Sequence, residues 1–455
     1  MPFESIDPTT EESLATFAAL DERALARLLE RARSGFSAWR MTSFDERSAR
    51  LRSLADLLDR GVDAFGRLMT REMGKPIGSA VAEVKKCAWV CRYYADEGPA
   101  RLRPEELESS GSRCWVEYQP LGAVLAVMPW NFPFWQVIRC AAPTLAAGNV
   151  VILKHSPNVP QSAIALEGLF ARAGFPGGVF QNAFAEVATI PRLLDDDIVQ
   201  AASLTGSVGA GSSLAAEAGR RIKTTVLELG GSDPFIVLES ADLQRAVTTG
   251  IEARMINNGQ SCIAAKRFLV HEAVADEFEE RFVEGVRELV VGDPQLPEVN
   301  IGPLARRDLR DRLVAQVEES VTAGARIATG GVIPDRRGWF YEPTVLLDVP
   351  DDAPAGRDEL FGPVAGIRRV RDLDEAIERA NATPYGLGAS VWTEDETERQ
   401  RAARDIVAGS VFINGMTASD PRVPFGGVKK SGYGRELGPH AVREFVNVKT
   451  IWIGT

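Results

Sequence analysis

A chain of 455 residues, 45% of them hydrophobic, is long enough for roughly two to four packed units with clefts between them. Its net charge of −11, from 52 Lys and Arg against 63 Asp and Glu, repels phosphate backbones and anionic headgroups, which excludes general nucleic-acid and membrane-surface roles. The longest apolar stretch, Leu121 to Trp130, covers half of the ~20 residues that a membrane helix needs. Acids and a proline stand near the amino terminus where a secretory signal needs basic and then apolar residues, so a cytoplasmic protein is expected. The odd set of five cysteines (Cys87, Cys91, Cys114, Cys140, Cys262) fits a reducing compartment without a disulfide framework.

In chain order, residues 21–100 read as helices, with Leu25, Leu28, Leu29, Ala32 and Phe36 forming one apolar stripe and Leu51, Leu54 and Leu58 another. Ser112 to Gln119 alternates polar and apolar residues, as a two-sided strand paired with another strand or another subunit does. From Leu121 short apolar runs (LGAVLAVMP, GNVVILK, GGVFQNA, TTVLELGG) alternate with helical stretches such as Gln161 to Ala173, which predicts βαβ units and a mostly parallel sheet. Beyond Ser232 the runs DPFIVLES, RFLVHE, RIATGG and TVLLDV, with helices near 241–257, 274–290, 307–324 and 373–381, predict a second α/β unit. Val446 and the NVKTIWIGT that follows it read as a terminal strand tied into a sheet.

The dinucleotide fingerprint GxGxxG after a strand is absent. In its place Thr205-Gly206-Ser207-Val208-Gly209-Ala210-Gly211 follows the run Ile198 to Leu204, and reads either as an anion site at a helix start or as an ordinary strand-to-helix turn. Cys262 lies just past a glycine-bearing turn in Gly259-Gln260-Ser261-Cys262, a place for an accessible thiol, although a structural cysteine is the commoner case. Glu228-Leu229-Gly230-Gly231 ends a strand on a carboxylate, and Pro129-Trp130-Asn131-Phe132-Pro133 fixes an amide between two prolines. Asn, Glu and Cys supply an oxyanion donor, a general base and a nucleophile, the three parts of acyl transfer. The three histidines (His155, His271, His440) lack ligand spacing and read as structural, with no metal site expected.

PWNFPFW, LKHSPNVP, LTGSVGAG, LELGGSDP, GQSC, ELFGPV and PFGGVKKSGYGREL, in this order along nearly the whole chain, resemble the aldehyde dehydrogenase superfamily. KHSPN, ELGGSDPFIV, GQSCIAAKRF and VFINGM look most like its bacterial succinate-semialdehyde dehydrogenases. The resemblance implies two α/β domains with parallel-rich sheets: a Rossmann-like cofactor domain of residues 1–101 and 121–230, a catalytic domain of 231–435, and a bridging and oligomerisation segment of 102–120 and 436–455, in a homodimer or homotetramer. It implies oxidation of an aldehyde with a distal carboxylate, succinate semialdehyde first among them, through a thiohemiacetal and thioester on Cys262. Other short semialdehydes or aliphatic aldehydes, a CoA-acylating or phosphorylating relative, and a non-catalytic protein of the same fold are the alternatives. Asn131 and the N–H of Cys262 would hold the oxyanion and Glu228 would activate water.

For the cofactor, the resemblance assigns Lys154 to the adenosine ribose, Ser207 to the pyrophosphate and Glu359 to the nicotinamide ribose, with Trp130, Ser156, Gly206, Gly211, Leu229 and Phe361 beside them. Where many NAD-preferring relatives carry a glutamate, this chain has Pro157, so NADP is favoured over NAD. Cys140 and Ile256 stand where relatives carry a lysine and an arginine, and Arg254, two residues before Ile256, points about 200° away on a helix. Arg139 follows Asn131 by eight residues on a helix expected from Pro133, so both are expected along one channel. A guanidinium among Phe134, Trp135, Val137 and Ile138 is costly to bury unpaired, and its partner is either the substrate carboxylate or a protein acid. By resemblance Trp135, Ser261 and Ser419 complete the substrate pocket.

Overall fold

The computed structural model describes residues 3–454. Four helices, Glu22–Trp39, Phe44–Arg60, Val62–Met73 and Ile77–Arg101, occupy the stretch expected to be helical, and the predicted leucine stripes turn inward. Leu28, Leu51, Leu54 and Leu58 are at most 1% exposed. Ser43 starts the second helix with a reciprocal cap: its hydroxyl accepts from the N–H of Glu46, whose carboxylate accepts from the N–H of Ser43.

These helices pack on a six-stranded sheet whose parallel part runs, in spatial order, Thr224–Glu228, Val199–Thr205, Ala123–Met128, Val150–His155 and Phe180–Asn182. Val150–His155 is buried throughout, which is why it reads as an unbroken apolar run ending in Lys154 rather than as an alternating strand. A seven-stranded sheet follows, centred on Asp233–Val237 and Ala265–His271. On one side its Phe235 and Phe268 pack with Phe278 and Phe282 of helix Glu272–Arg287, and on the other its Ile236, Leu269 and Val391 pack with Ile377 of helix Leu373–Asn381.

Three features depart from the expected pattern. Phe3–Asp7 and Glu12–Phe17 form an antiparallel hairpin ahead of the helices, and the N–H of Glu4 bonds the carbonyl of Pro157 at 3.0 Å. Strands Val364–Val370 and Gly388–Trp392 belong to the second sheet although neither carries a continuous apolar run. Gly432–Tyr433, from the stretch assigned to a catalytic domain, pairs antiparallel with Leu227 and Glu228 in the first sheet. Gly432 has φ 111°, and a Cβ there would strike the carbonyl of Leu227, so this edge pairing needs glycine.

Val446–Ile453 pairs residue by residue with Arg113–Pro120, and Glu105–Glu106 completes a three-stranded sheet. Val448 and Trp452 of its outer strand are 59% and 53% exposed. Among the described residues no helix is long and apolar enough to cross a membrane.

Candidate functional site

Asn131 lies in the loop between strand Ala123–Met128 and helix Trp135–Ala146. His155 fixes one side of this loop: its Nε2 bonds the carbonyl of Pro133 at 2.9 Å while its Nδ1 accepts the N–H of Ser156. Burial lowers its pKa to about 4, so the ring stays neutral and structural, as its spacing predicts. Glu83 fixes the other side by accepting the N–H groups of Phe134 and Trp135, both at 2.9 Å, at the start of the helix, where the dipole favours a carboxylate. Its counter-ion is the fully buried Lys75, whose ammonium also sits 4.2 Å from the centre of the Phe132 ring.

Cys262 follows helix Leu243–Met255 through three consecutive left-handed residues, Asn257, Asn258 and Gly259. At Gly259 a Cβ would collide with the backbone of Gly362, and each asparagine earns its φ by donating to backbone. Asn257 bonds the carbonyls of Asn131 at 2.7 Å and Gln260 at 3.0 Å, and Asn258 bonds those of Gly74 and Pro303. Arg254 turns away from the site, as its helical angle predicts, and donates to the carbonyls of Gly259, Gly362 and Ala265. Lys266 binds the carbonyls of Ser261, Cys262 and Ala264 at 2.8–3.1 Å. The thiol is therefore carried on a loop pinned from both ends.

Cys262 is half-buried at the junction of two cavities of about 570 Å³ each. It is the one residue among those described that lines both. Burial pushes the thiol up to about 12, with Arg139 and Lys266 pulling the other way. Asn131 opens onto the second cavity only; its Nδ2 donates to the carbonyl of Gln260 at 3.0 Å, which spends one of its two hydrogens. Glu228 lines neither cavity. It is 2% exposed, its carboxylate faces the backbone of Gly426, and neither oxygen has a hydrogen-bond partner among the described residues. Burial, and then the charge of Glu436, raise its pKa well above the carboxylate range.

The second cavity gathers Trp130, Gly206, Ser207, Leu229, Glu359 and Phe361. Ser207 caps helix Val208–Gly219 by accepting the N–H of Ala210 at 3.3 Å, so the glycine-bearing turn does present a helix N-terminus to this space. Gly211 is not in the wall; its missing side chain makes room for Leu229, which a Cβ would strike. Glu359 accepts the N–H of Gly231 at 3.1 Å, and Trp130 meets Phe361 edge-on at 5.7 Å. Lys154, Ser156 and Pro157 lie outside this wall, at the end of strand Val150–His155. Burial lowers the Lys154 amine with no neighbouring acid to offset it, Ser156 bonds Asn158, and Pro157 is exposed. A phosphate-rich dinucleotide suits this cavity, because a helix N-terminus meets its anionic part and the apolar rings its bases.

The first cavity is lined by Trp135, Arg139, Ser261 and Ser419, as the resemblance implies, and Ile256 fills the place of the missing arginine. Arg139 has a protein partner. Its partner is the protein acid Glu436, with which it forms a buried ion pair, and its guanidinium lies 4.7 Å from the centre of the Phe425 ring. Its Nε faces that acid, and the residue still lines the first cavity. Asn131 and Arg139 also open onto different cavities rather than one channel. Lys86, which the sequence reading passed over, faces the first cavity and donates to Ser419 Oγ at 2.7 Å. Glu83, Lys266 and Glu436 were missed with it.

The sequence model of the Aldehyde dehydrogenase family matches residues 1–451. The chain is 51% identical over 456 residues to succinate-semialdehyde dehydrogenase (NADP(+)) 1 of Mycobacterium tuberculosis, covering all of both sequences. Among solved structures it resembles succinic semialdehyde dehydrogenase from Streptococcus pyogenes in complex with NADP+, with a TM-score of 0.97 and 37% identity over 99% of this chain and 100% of that one. An NADP-dependent enzyme of E. coli superposes with the same TM-score at 33% identity, over 100% of this chain and 95% of the other.

Proposed function

Because the chain belongs to the aldehyde dehydrogenase family, we propose that it oxidises succinate semialdehyde to succinate with NADP in preference to NAD. The observation that carries this reading is the position of Cys262 where two cavities meet, one suited to a dinucleotide and the other bearing Lys86, Ser261 and Ser419.

In this reading the Cys262 sulfur adds to the aldehyde carbon. The oxyanion so formed takes hydrogen bonds from the free N–H of the Asn131 amide and from the backbone N–H of Cys262, each such donor contributing about 3–4 kcal/mol to the transition state. With a thiol near 12, Cys262 reacts only when its proton is removed, so the site must supply a base or a neighbouring positive charge. Bound NADP would supply that charge and the hydride acceptor that converts the adduct to a thioester. Glu228 then takes the proton of the hydrolytic water. Its unpartnered oxygens are free to bond that water, and its raised pKa makes it a stronger base once ionised.

Pro157 leaves the position beside Lys154 without a carboxylate, which removes the charge that would repel a 2′-phosphate. The cofactor domain comprises residues 1–101 and 121–230, the catalytic domain 231–435, and the segments 102–120 and 436–455 bridge to a second copy. The exposed Val448 and Trp452 on the outer strand support a homodimer or homotetramer. A cytoplasmic setting keeps Cys262 reduced.

Initial rates with succinate semialdehyde and butanal, each with NADP+ and NAD+, test the reading. The highest kcat/KM should belong to succinate semialdehyde with NADP+. Equal rates for the two aldehydes would remove the carboxylate from the substrate class.

A further inference from the structure

Strand Ala265–His271 carries a charge into the protein at its second residue, Lys266, which is 2% exposed. Its ammonium has three hydrogens and meets three carbonyls, those of Ser261 at 2.9 Å, Cys262 at 2.8 Å and Ala264 at 3.1 Å. A neutral amine has only two hydrogens to give, so this set calls for the charged form. Glu359 Oε1 stands 3.9 Å away, close enough to balance the charge and too far to draw a hydrogen from the loop. Burial opposes the charge, and Glu359 and Asp233 support it.

Two of the three carbonyls belong to the peptide units on either side of the Cys262 Cα. A peptide unit is planar and trans, so the Ser261 carbonyl and the Cys262 N–H, which share one unit, point in opposite directions. Holding that carbonyl on Lys266 turns the N–H to the other side, away from the ammonium. The Cys262 carbonyl fixes the following unit, and with both units held the direction of the bond that carries the sulfur is set as well. The Ser261 carbonyl also accepts the N–H of Ala264 at 3.2 Å, but among the described residues the Cys262 carbonyl accepts from Lys266 alone. The Cys262 N–H donates to no backbone carbonyl among them and is left for a ligand.

We propose that Lys266 is a positioning residue for both halves of the attack: it aims the Cys262 N–H at the oxyanion and the sulfur at the aldehyde carbon. This role rests on the reading that Cys262 adds to an aldehyde. A donor aimed before the reaction begins needs no reorganisation, and loss of one such donor slows related reactions about a hundredfold or more. The Lys266 charge also draws the thiol down against burial, together with Arg139 and against Glu359 and Asp233. Its effect on the thiolate is therefore read apart from its effect on geometry.

Two reactions of the same sulfur separate them. Alkylation by iodoacetamide needs the thiolate and no oxyanion donor, whereas single-turnover reduction of NADP+, with the protein in excess over the aldehyde, needs both. In Lys266→Met the single-turnover rate should fall at least about thirtyfold more than the alkylation rate at the same pH, on succinate semialdehyde and butanal alike. Lys266→Arg, which keeps the charge and the donors, should stay within about tenfold of the unmodified protein in both reactions. Thermal unfolding reports whether each variant is folded, and if Lys266→Met is not, Lys266→Gln takes its place with an expected excess of at least about tenfold. A single-turnover rate that is unchanged, or that falls only in step with alkylation, overturns the proposal and leaves the reading of Cys262 standing. No reduction of NADP+ by the unmodified protein with either aldehyde overturns that reading, and with it this role for Lys266.

Discussion

Arg139 and Glu436 form an ion pair in the wall of the cavity that reaches Cys262, with side chains 2% and 5% exposed. The pair links helix Trp135–Ala146 to the carboxy-terminal segment, and both charges act on Glu228, Glu436 raising its pKa and Arg139 lowering it. The arginine therefore serves the electrostatics of Glu228 and the packing of that helix.

Breaking the pair from one side should be costly. Arg139→Met leaves Glu436 buried without its partner and should lower stability by about 3–5 kcal/mol, whereas Arg139→Met with Glu436→Leu should recover most of it. Denaturant unfolding of the two single variants and the double variant checks this. Additive losses would mean that the two charges are not coupled. Arg139→Met should also reduce the rates on succinate semialdehyde and butanal alike.

Cys262 should react slowly with iodoacetamide in the cofactor-free protein. A thiol raised to about 12 holds little thiolate at pH 8, so its alkylation rate should climb about tenfold per pH unit through pH 9 to 11. An unperturbed thiol levels off above about pH 8.5. Peptide mass spectrometry follows the site, and a plateau by pH 9 would show that Arg139 and Lys266 outweigh burial. Cys87, Cys91 and Cys140 are buried with raised pKa values and should stay unmodified.

Cofactor choice should respond at Pro157. A carboxylate there bonds a ribose hydroxyl and repels a 2′-phosphate, so Pro157→Glu should shift the preference towards NAD at least about tenfold, or 1.4 kcal/mol. Pro157 is exposed, so the fold should tolerate the change. An unaltered ratio of kcat/KM values would place the reading of the 2′ position elsewhere.

Much of the site was legible because its chemistry demands rare residue types beside backbone punctuation. Asn131 between two prolines and Cys262 after Gly259 stand out in a bare sequence, and the structure places each on the wall of a cavity. The parallel strands were legible where burial on both faces leaves an unbroken apolar run, as in Val150–His155. Val364–Val370 and Gly388–Trp392 were not, because arginines, glycine and serine interrupt them; Gly388 is small since a Cβ would meet Thr417 and Asp233. The charged residues were hardest. Lys86 and its exposed neighbour Lys85 look alike in VKKCAWV, and only the packing of helix Ile77–Arg101 separates a cavity cation from a solvated one. Ser79, Ala82, Glu83 and Lys86 at helical spacing were the available signal. Arg139 shows the converse: its burial was foreseeable, but Glu436 lies far along the chain and no local pattern joins them.

The central claim is that Cys262 carries a thioester which Glu228 helps water to cleave, and trapping that thioester tests it most directly. Glu228→Ala mixed with NADP+ and succinate semialdehyde should give one burst of reduced cofactor per active site, then little turnover. Mass spectrometry of the quenched protein should find one succinyl group on the peptide that contains Cys262. Normal steady turnover with no acyl group on Cys262 would contradict the account.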